Sequence, residues 1–445
     1  MKKFLTTISN IWKIEDLRVR IINTLLFLLI YRVGSFIRLP GVNAANTGKE
    51  AQGLVGLLNM FAGGSFSRIS IFALGVMPYI SASIVMQLLG IAVPYFAKMQ
   101  KEGESGRNKI NQWTRYLTIA ITAVQAAAYL HSQVTPDEQM IANPLFTVMN
   151  TFVLTAGTLF VMWLGEKITD KGIGNGISLI IMVGIIAQLP GAFIAEFNQR
   201  IGGQGGLITF IVELVALLGV VMFTILIVQG TRKIAVQYAK RIVGNNQYGG
   251  VRQYIPLKVN AAGVMPIIFA QALMFIPATF GSFFPTLASN SVVIALSNYN
   301  SWPHNILFAI LIIVFTYFYT AITVNPNQMA DDMKKNNGFI PGVKPGKTTA
   351  DFIDDVISKI TLPGSIFLAI IAIIPPLATM VGVNTLFARF FGGTSLIILV
   401  GVVLDTLQQI ESHLLMRHYD GLMKTGRITG RTSIPAAAGT TPTAI

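Results

Sequence analysis

The sequence predicts an all-α, polytopic membrane protein with ten transmembrane helices. Of its 445 residues, 53% are hydrophobic and only 12% are charged, where a soluble domain carries roughly 25% charged residues. The apolar residues come in long blocks, and uncharged stretches of about 18 residues or more are long enough to cross a bilayer. The basic residues gather in the short stretches between those blocks. A net charge of +14 therefore points to orientation in a membrane, and not to nucleic acid.

Spans are expected at 21–37, 69–95, 116–131, 147–165, 176–195, 206–229, 260–280, 305–324, 361–381 and 394–412. An even number places both termini on one side. Of the 33 lysines and arginines, 27 fall in the N-terminal segment, in the loops after spans 2, 4, 6 and 8, and in the tail. Arg38, Lys49, Arg68, Arg200 and Arg389 lie opposite, and Arg32 lies within span 1. The imbalance predicts cytoplasmic termini. Before span 1, Ile8, Ile11, Trp12, Ile14 and Leu17 suggest an amphipathic helix lying on the membrane, with no cleavable leader.

Two cytoplasmic loops, about 230–259 and 325–360, are long enough to fold into protruding elements. Asn198–Gly206, rich in glycine, divides the spans five and five. The organisation expected is an N-terminal half (1–200), a C-terminal half (201–431) and a mobile tail (432–445). Gly53–Gly64 is apolar but about half the length needed to cross ~30 Å. It is either a helix lying on the surface or a re-entrant half-helix filling a cavity. Pro78 and Pro94 in span 2, and Pro266 and Pro277 in span 7, are expected to kink their helices. Ser81, Ser83 and Gln87 in span 2, Gln125 in span 3 and Gln271 in span 7 must find partners or water within hydrocarbon.

Enzyme signatures fail on inspection. With no cysteine, disulfides and thiolate metal sites are excluded, and the four histidines show no ligand spacing. Gly342–Thr348 (GVKPGKT) has three residues between its glycines, where a phosphate loop needs four. Gly172–Gly176 (GIGNG) follows an apolar helix and suggests a tight turn, with Glu166 and Asp170 as interfacial charges. Asp405 in span 10 is an intramembrane carboxylate with no evident partner. The sequence therefore offers no catalytic residue, metal ligand or cofactor motif.

Long strings nonetheless resemble one family. NMFAGGSFSRISIFALGVMPYISASIVMQLL (59–89), KEGESGRNKINQWTRY (101–116), MWLGEKITDKGIGNGIS (162–178), YAKR (238–241), PLKVNAAGVMP (256–266) and FGGTSLII (391–398) are similar to the SecY translocation channels. The resemblance implies two pseudo-symmetric five-helix halves around a central pore in the bacterial inner membrane. It makes Gly53–Gly64 a plug, with Leu54, Leu57, Asn59, Met60 and Phe61 as its packing residues. It implies a pore ring of Ile80, Ile84, Ile177, Ile181, Ile268 and Ile398; the i, i+4 spacing of two of these pairs puts each pair on one helix face. Spans 2, 3, 7 and 8 become a lateral gate, with Ser83, Gln87, Gln125 and Gln271 at its seam.

The implied partners are SecE and SecG, a SecA ATPase or a ribosome (with contact to its RNA), signal sequences, unfolded polypeptides and lipid. Docking would fall on Arg232, Lys240, Arg241, Arg252, Lys344 and Lys347. Two departures lie on that docking face. Lys344-Pro345-Gly346 stands where many members have Arg-Pro-Gly, and Asn245-Asn246 where many have paired arginines; lysine keeps the charge but loses the planar fork. The competing readings are a small-solute secondary transporter, which needs ion-coordinating groups at mid-membrane, and a membrane-embedded hydrolase. Reporter fusions at Gln112, Tyr248, Asn337 and Thr425 should read cytoplasmic and one at Asp137 external; any exchange between these groups breaks the ten-span topology.

Overall fold

The computed structural model describes the chain except residues 1–11, 13, 44–55, 57–58, 135–143, 203–205, 239–240, 244–245, 249–251, 284–290, 299 and 425–445. A helix occupies each of the ten expected span positions. These are α1 (Glu15–Gly34), α2 (Met77–Ala92), α4 (Glu104–Gln133), α5 (Leu145–Lys171), α6 (Gly176–Ile201), α7 (Gly206–Gln229), α8 (Met265–Phe283), α10 (Trp302–Thr323), α12 (Lys347–Met380) and α14 (Gly393–Lys424). Short helices α3 (Pro94–Lys101), α9 (Ser291–Ser297), α11 (Pro326–Lys335) and α13 (Thr385–Ala388) connect them. Among the described residues, six helices are long and apolar enough to cross a membrane on their own. A seventh candidate is the pair α2 and α3, bent by 102° at its break.

The first five spans pack mainly on one another, α4 against α2 and α5, and α5 against α1 and α6. In the last five, α10 packs on α8 and α12, and α14 on α7 and α12. The two groups meet where α6 touches α7 and α14, and where α8 touches α2 and α4.

Several boundaries differ from the sequence reading. Residues 62–76 form a chain of turns, so span 2 begins at Met77 and not at 69. Ile69 and Gly75 take left-handed φ angles of 51° and 54° there, which no continuous helix accommodates. Pro78 sits in the first turn of α2 and Pro94 in the first turn of α3. Pro78 therefore starts a helix without kinking one, because the first turn needs no N–H from it. Residues 15–20 belong to α1 itself, so no separate amphipathic helix runs through to Arg20; Ile8 and Ile11 lie outside the described residues, as does the tail. Helices α4, α12 and α14 also continue well beyond their predicted spans.

The two long loops fold together. Strands β1 (Thr231–Tyr238) and β4 (Arg252–Lys258) pair antiparallel, and β5 (Gly338–Phe339) from the second loop adds to the free edge of β1. Short strands β2 (Arg241–Val243) and β3 (Asn246–Tyr248) form a hairpin between them. Ile234, Val236 and Leu257 of this sheet bury against Met333, Ile340 and Ile353. The bundle thus has a sheet end and, opposite it, an end that holds the expected plug segment.

At the sheet end, the GIGNG segment is the expected tight turn. Gly174 has φ +82°, Asn175 caps α6 by accepting from the Ser178 amide, and Thr24 of α1 accepts from the Ile173 amide at 3.0 Å. Glu166 pairs with Arg115 at 2.6 Å in a partly exposed bridge, as suits an interfacial charge. Gly342–Thr348 is a turn running into α12, with Gly346 as its N-cap at φ +106°. A methyl group on Gly176 would lie 2.0 Å from the Gly165 carbonyl oxygen. Gly176→Ala should therefore destabilise the detergent-solubilised protein by about 1–3 kcal/mol, read as a lower unfolding temperature; an unchanged temperature would refute the close α5–α6 approach.

Candidate pore and gate

The six isoleucines of the expected ring come from four helices, Ile80 and Ile84 from α2, Ile177 and Ile181 from α6, Ile268 from α8 and Ile398 from α14. The fold brings them into one apolar cluster. Ile80, Ile181 and Ile398 are buried in it, and Ile84, Ile177 and Ile268 pack against it half-buried. No polar side chain is needed to hold them, because branched hydrocarbon interlocks by shape alone.

The same cluster contains Met60 and Phe61 of the expected plug segment. Asn59, Met60 and Phe61 are helical, and Met60 is 1% exposed, which excludes a helix lying on the surface at this point. Leu54 and Leu57 lie outside the described residues. The end of the segment is fixed by polar contacts to its backbone. Gln188 of α6 donates to the Asn59 carbonyl at 2.7 Å, and the Asn59 side chain accepts from the Ser67 amide and hydroxyl. Arg32 and Arg68 both donate to the Gly63 carbonyl, at 2.8 and 2.7 Å. Their guanidinium groups lie over the Phe36 ring, 5.0 and 4.3 Å from its centre, so aromatic faces offset part of the repulsion between two like charges.

Sequence reasoning missed this arrangement. It counted Arg68 only as an outer-side charge and Arg32 only as a charge within span 1. Charged residues inside a span are default functional candidates, so Arg32 carried a usable signal; Gln188 and Arg68 carried none that a linear reading could use.

At the expected gate, α8 packs against α2 and α4, but the polar residues do not bridge the seam. Gln87 donates to Ser83 of its own helix at 3.4 Å. Gln125 is half-buried, and Gln271 is buried with its amide nitrogen unpartnered. Among the described residues, no hydrogen bond joins α8 to α2 or α4. The seam is therefore held by packing.

The expected docking residues are spread over the sheet end. Arg232 and Arg252 are exposed at opposite ends of the β1–β4 pair, and Lys344 and Lys347 are exposed in the turn leading into α12. Arg241 lies on β2, and Lys240 is outside the described residues. Asp405 is exposed on α14. Among the described residues, no group of three or more histidine, aspartate or glutamate side chains gathers as a metal-ligand set.

A family model for SecY matches residues 70–407. The chain belongs to the SecY family. It is 42% identical over 445 residues to the protein translocase subunit SecY of Streptomyces coelicolor, covering 94% of this chain and 100% of that one. The SecY subunit of Halalkalibacterium halodurans is 45% identical over 439 residues, covering 94% and 99%. Among solved structures, a protein-conducting channel aligns with TM-score 0.64 at 18% identity over 93% of this chain and 95% of that one. Sec61 in a canine ribosome–channel complex aligns with TM-score 0.59 at 18% identity, again over 93% and 95%. At such identities the structural matches speak for the fold, and membership of the SecY family rests on the sequence matches. As a SecY-family chain, it is a multi-pass membrane protein.

The close approach of plug and α6 can be tested in place. A Cβ on Gly184 would lie 2.5 Å from the Phe61 carbonyl oxygen, whereas one on Gly191 meets nothing within 4 Å. Gly184→Val should speed amide hydrogen exchange across residues 59–64 by about tenfold or more, as local opening becomes easier. Gly191→Val should leave it unchanged. Equal protection in both variants would remove α6 as the seat of residues 59–64.

Proposed function

We propose that this chain is the central protein-conducting channel of a Sec translocon in the bacterial inner membrane. It moves unfolded polypeptides across the bilayer and releases apolar segments sideways into lipid, and it is a channel, not an enzyme. The observation that carries this reading is the single apolar cluster joining six isoleucines of four helices to the plug residues Met60 and Phe61. An apolar neck of this kind sheds water and so blocks ions. Around a passing chain, the same side chains make a gasket with no hydrogen-bond demand, so any sequence can slide through.

On this reading the N-terminal half (1–200) and C-terminal half (201–431) part at the α2/α4–α8 seam, and both termini are cytoplasmic. Leu54 and Leu57 belong to the plug with Asn59, Met60 and Phe61, while Ser83, Gln87, Gln125 and Gln271 meet the entering signal sequence. SecE and SecG accompany the chain. SecA or a ribosome docks on Arg232, Lys240, Arg241, Arg252, Lys344 and Lys347, where charge steers encounter. Two aligned solved structures, Sec61 in a ribosome–channel complex and the Ssh1 complex bound to a ribosome, support the ribosomal partner. A solute transporter is disfavoured because six isoleucines stand where ion-coordinating groups would be needed.

Serine at two ring positions, such as Ile80 and Ile398, places water-holding hydroxyls in the neck. Both that variant and deletion of residues 54–62 should raise resting ion conductance in reconstituted vesicles and admit weaker signal sequences. Serine at Ile310, exposed on α10, should do neither. If ring serines leave conductance and stringency unchanged in a folded protein, those isoleucines are ordinary packing. Lys344→Glu should slow driven translocation while leaving the resting channel sealed; a leak there would move Lys344 from docking to gating.

A further inference from the structure

We infer that Arg200, held by Glu196 and Glu213, is a positioning residue. It clasps the two halves at the plug end, so that they turn about this point and separate at the opposite seam. The inference rests on the channel reading and concerns residues that reading does not use.

The clasp is built from three charged groups that are almost fully buried in the protein. Glu196 and Arg200 are one turn apart on α6 and bond at 2.8 Å, with Glu196 0% and Arg200 6% exposed. Glu213 projects inward from α7 on the same buried face as Phe210, and accepts a hydrogen bond from the Arg200 guanidinium. Arg200 also donates to the Gly382 carbonyl at 2.9 Å. Just beyond, the Asn384 amide donates to the other Glu196 oxygen at 2.8 Å, and its side chain donates to Gln199 at 2.8 Å. One residue of the first five spans is thus tied to two separate elements of the last five. Phe193 packs on Phe210 and Phe387, and Phe197 on Phe210, with centroids 5.2, 6.3 and 5.5 Å apart. These rings lie along the α6–α7 contact beside the triad.

Among the described residues, the seam on the other face has no such bonds. Apolar helices that part within a bilayer exchange protein neighbours for equally apolar acyl chains, with no hydrophobic penalty. Parting the clasp would instead separate a guanidinium from two carboxylates that are buried with it, and removing one member of a buried charge group leaves the others uncompensated. The halves therefore move where contact is cheap to lose and stay joined where it is expensive. Arg200 fixes the angle between them, and so how firmly the resting seam is closed.

The chain has no cysteine, so thiols introduced at the exposed positions Val85 on α2 and Leu273 on α8 give a unique spin-label pair across the seam. Distances would be read in the full-length chain, with its copurifying subunits, in phospholipid vesicles. Arg200→Gln should raise the separated population about tenfold, and Arg200→Lys should restore most of the closed population. Glu213→Gln, which keeps shape and loosens only the α7 link, should shift it in the same direction and serves if Arg200→Gln fails to accumulate. A lower unfolding temperature with an unchanged distance distribution overturns the clasp. If the seam opens in these variants while precursor passage is unaffected even for weak signals, the clasp stands and the channel reading fails.

Discussion

Inside a bilayer no water is available to a stray amide or carbonyl, and that shortage governs this chain. It explains why spans are helical, and also where they are permitted not to be. Residues 62–76 form turns among packed helices, and their backbone is satisfied from many directions. The Leu39 amide bonds to the Ile69 carbonyl and the Ile71 amide to the Ile37 carbonyl. Tyr129 donates to the Phe66 carbonyl, and Arg32 and Arg68 converge on Gly63. The guanidinium groups are, in this sense, replacements for solvent. They let the chain stop being a helix between Phe61 and Met77.

The same constraint separates two kinds of contact. The isoleucine cluster and the contact of α8 with α2 and α4 are joined by shape and dispersion, which re-form readily against any apolar surface. Residues 59–64, the GIGNG turn and the contact of α6 with α7 are joined by directed polar bonds, which do not. A translocation channel needs both, since a polypeptide of arbitrary sequence must be admitted without the frame coming apart.

How much of this could be read from the sequence follows from range. Hydrocarbon thickness imposes a local signal of about 20 residues, so each span position was legible. Helix ends were less so, because α4 and α12 begin as helices well before their apolar stretches and α14 continues after its own. The pairing of Ile80 with Ile84 and of Ile177 with Ile181 on common faces was visible at i, i+4, but their convergence with Ile268 and Ile398 depends on packing between helices far apart in sequence. Glutamines in hydrocarbon need partners or water, and Gln87 finds Ser83 within its own helix, whereas the Gln271 amide nitrogen has no partner among the described residues. The overlooked pair Glu196 and Arg200 did have a local signature, opposite charges four apart at the end of an apolar helix. What linear spacing could not supply was Glu213 or the carbonyl of Gly382.

One element links the extremes of the molecule. Helix α12 runs unbroken over 34 residues, about 50 Å at 1.5 Å per residue. Near its start Ile353 is buried against the sheet that unites both long loops, and just past its end Gly382 receives Arg200. A mechanical load applied to that sheet thus has a continuous path through the bilayer to the far side. Pro363, Pro375 and Pro376 interrupt the helix's own bonding ladder, so they are where such a load is absorbed as bending before it is passed on.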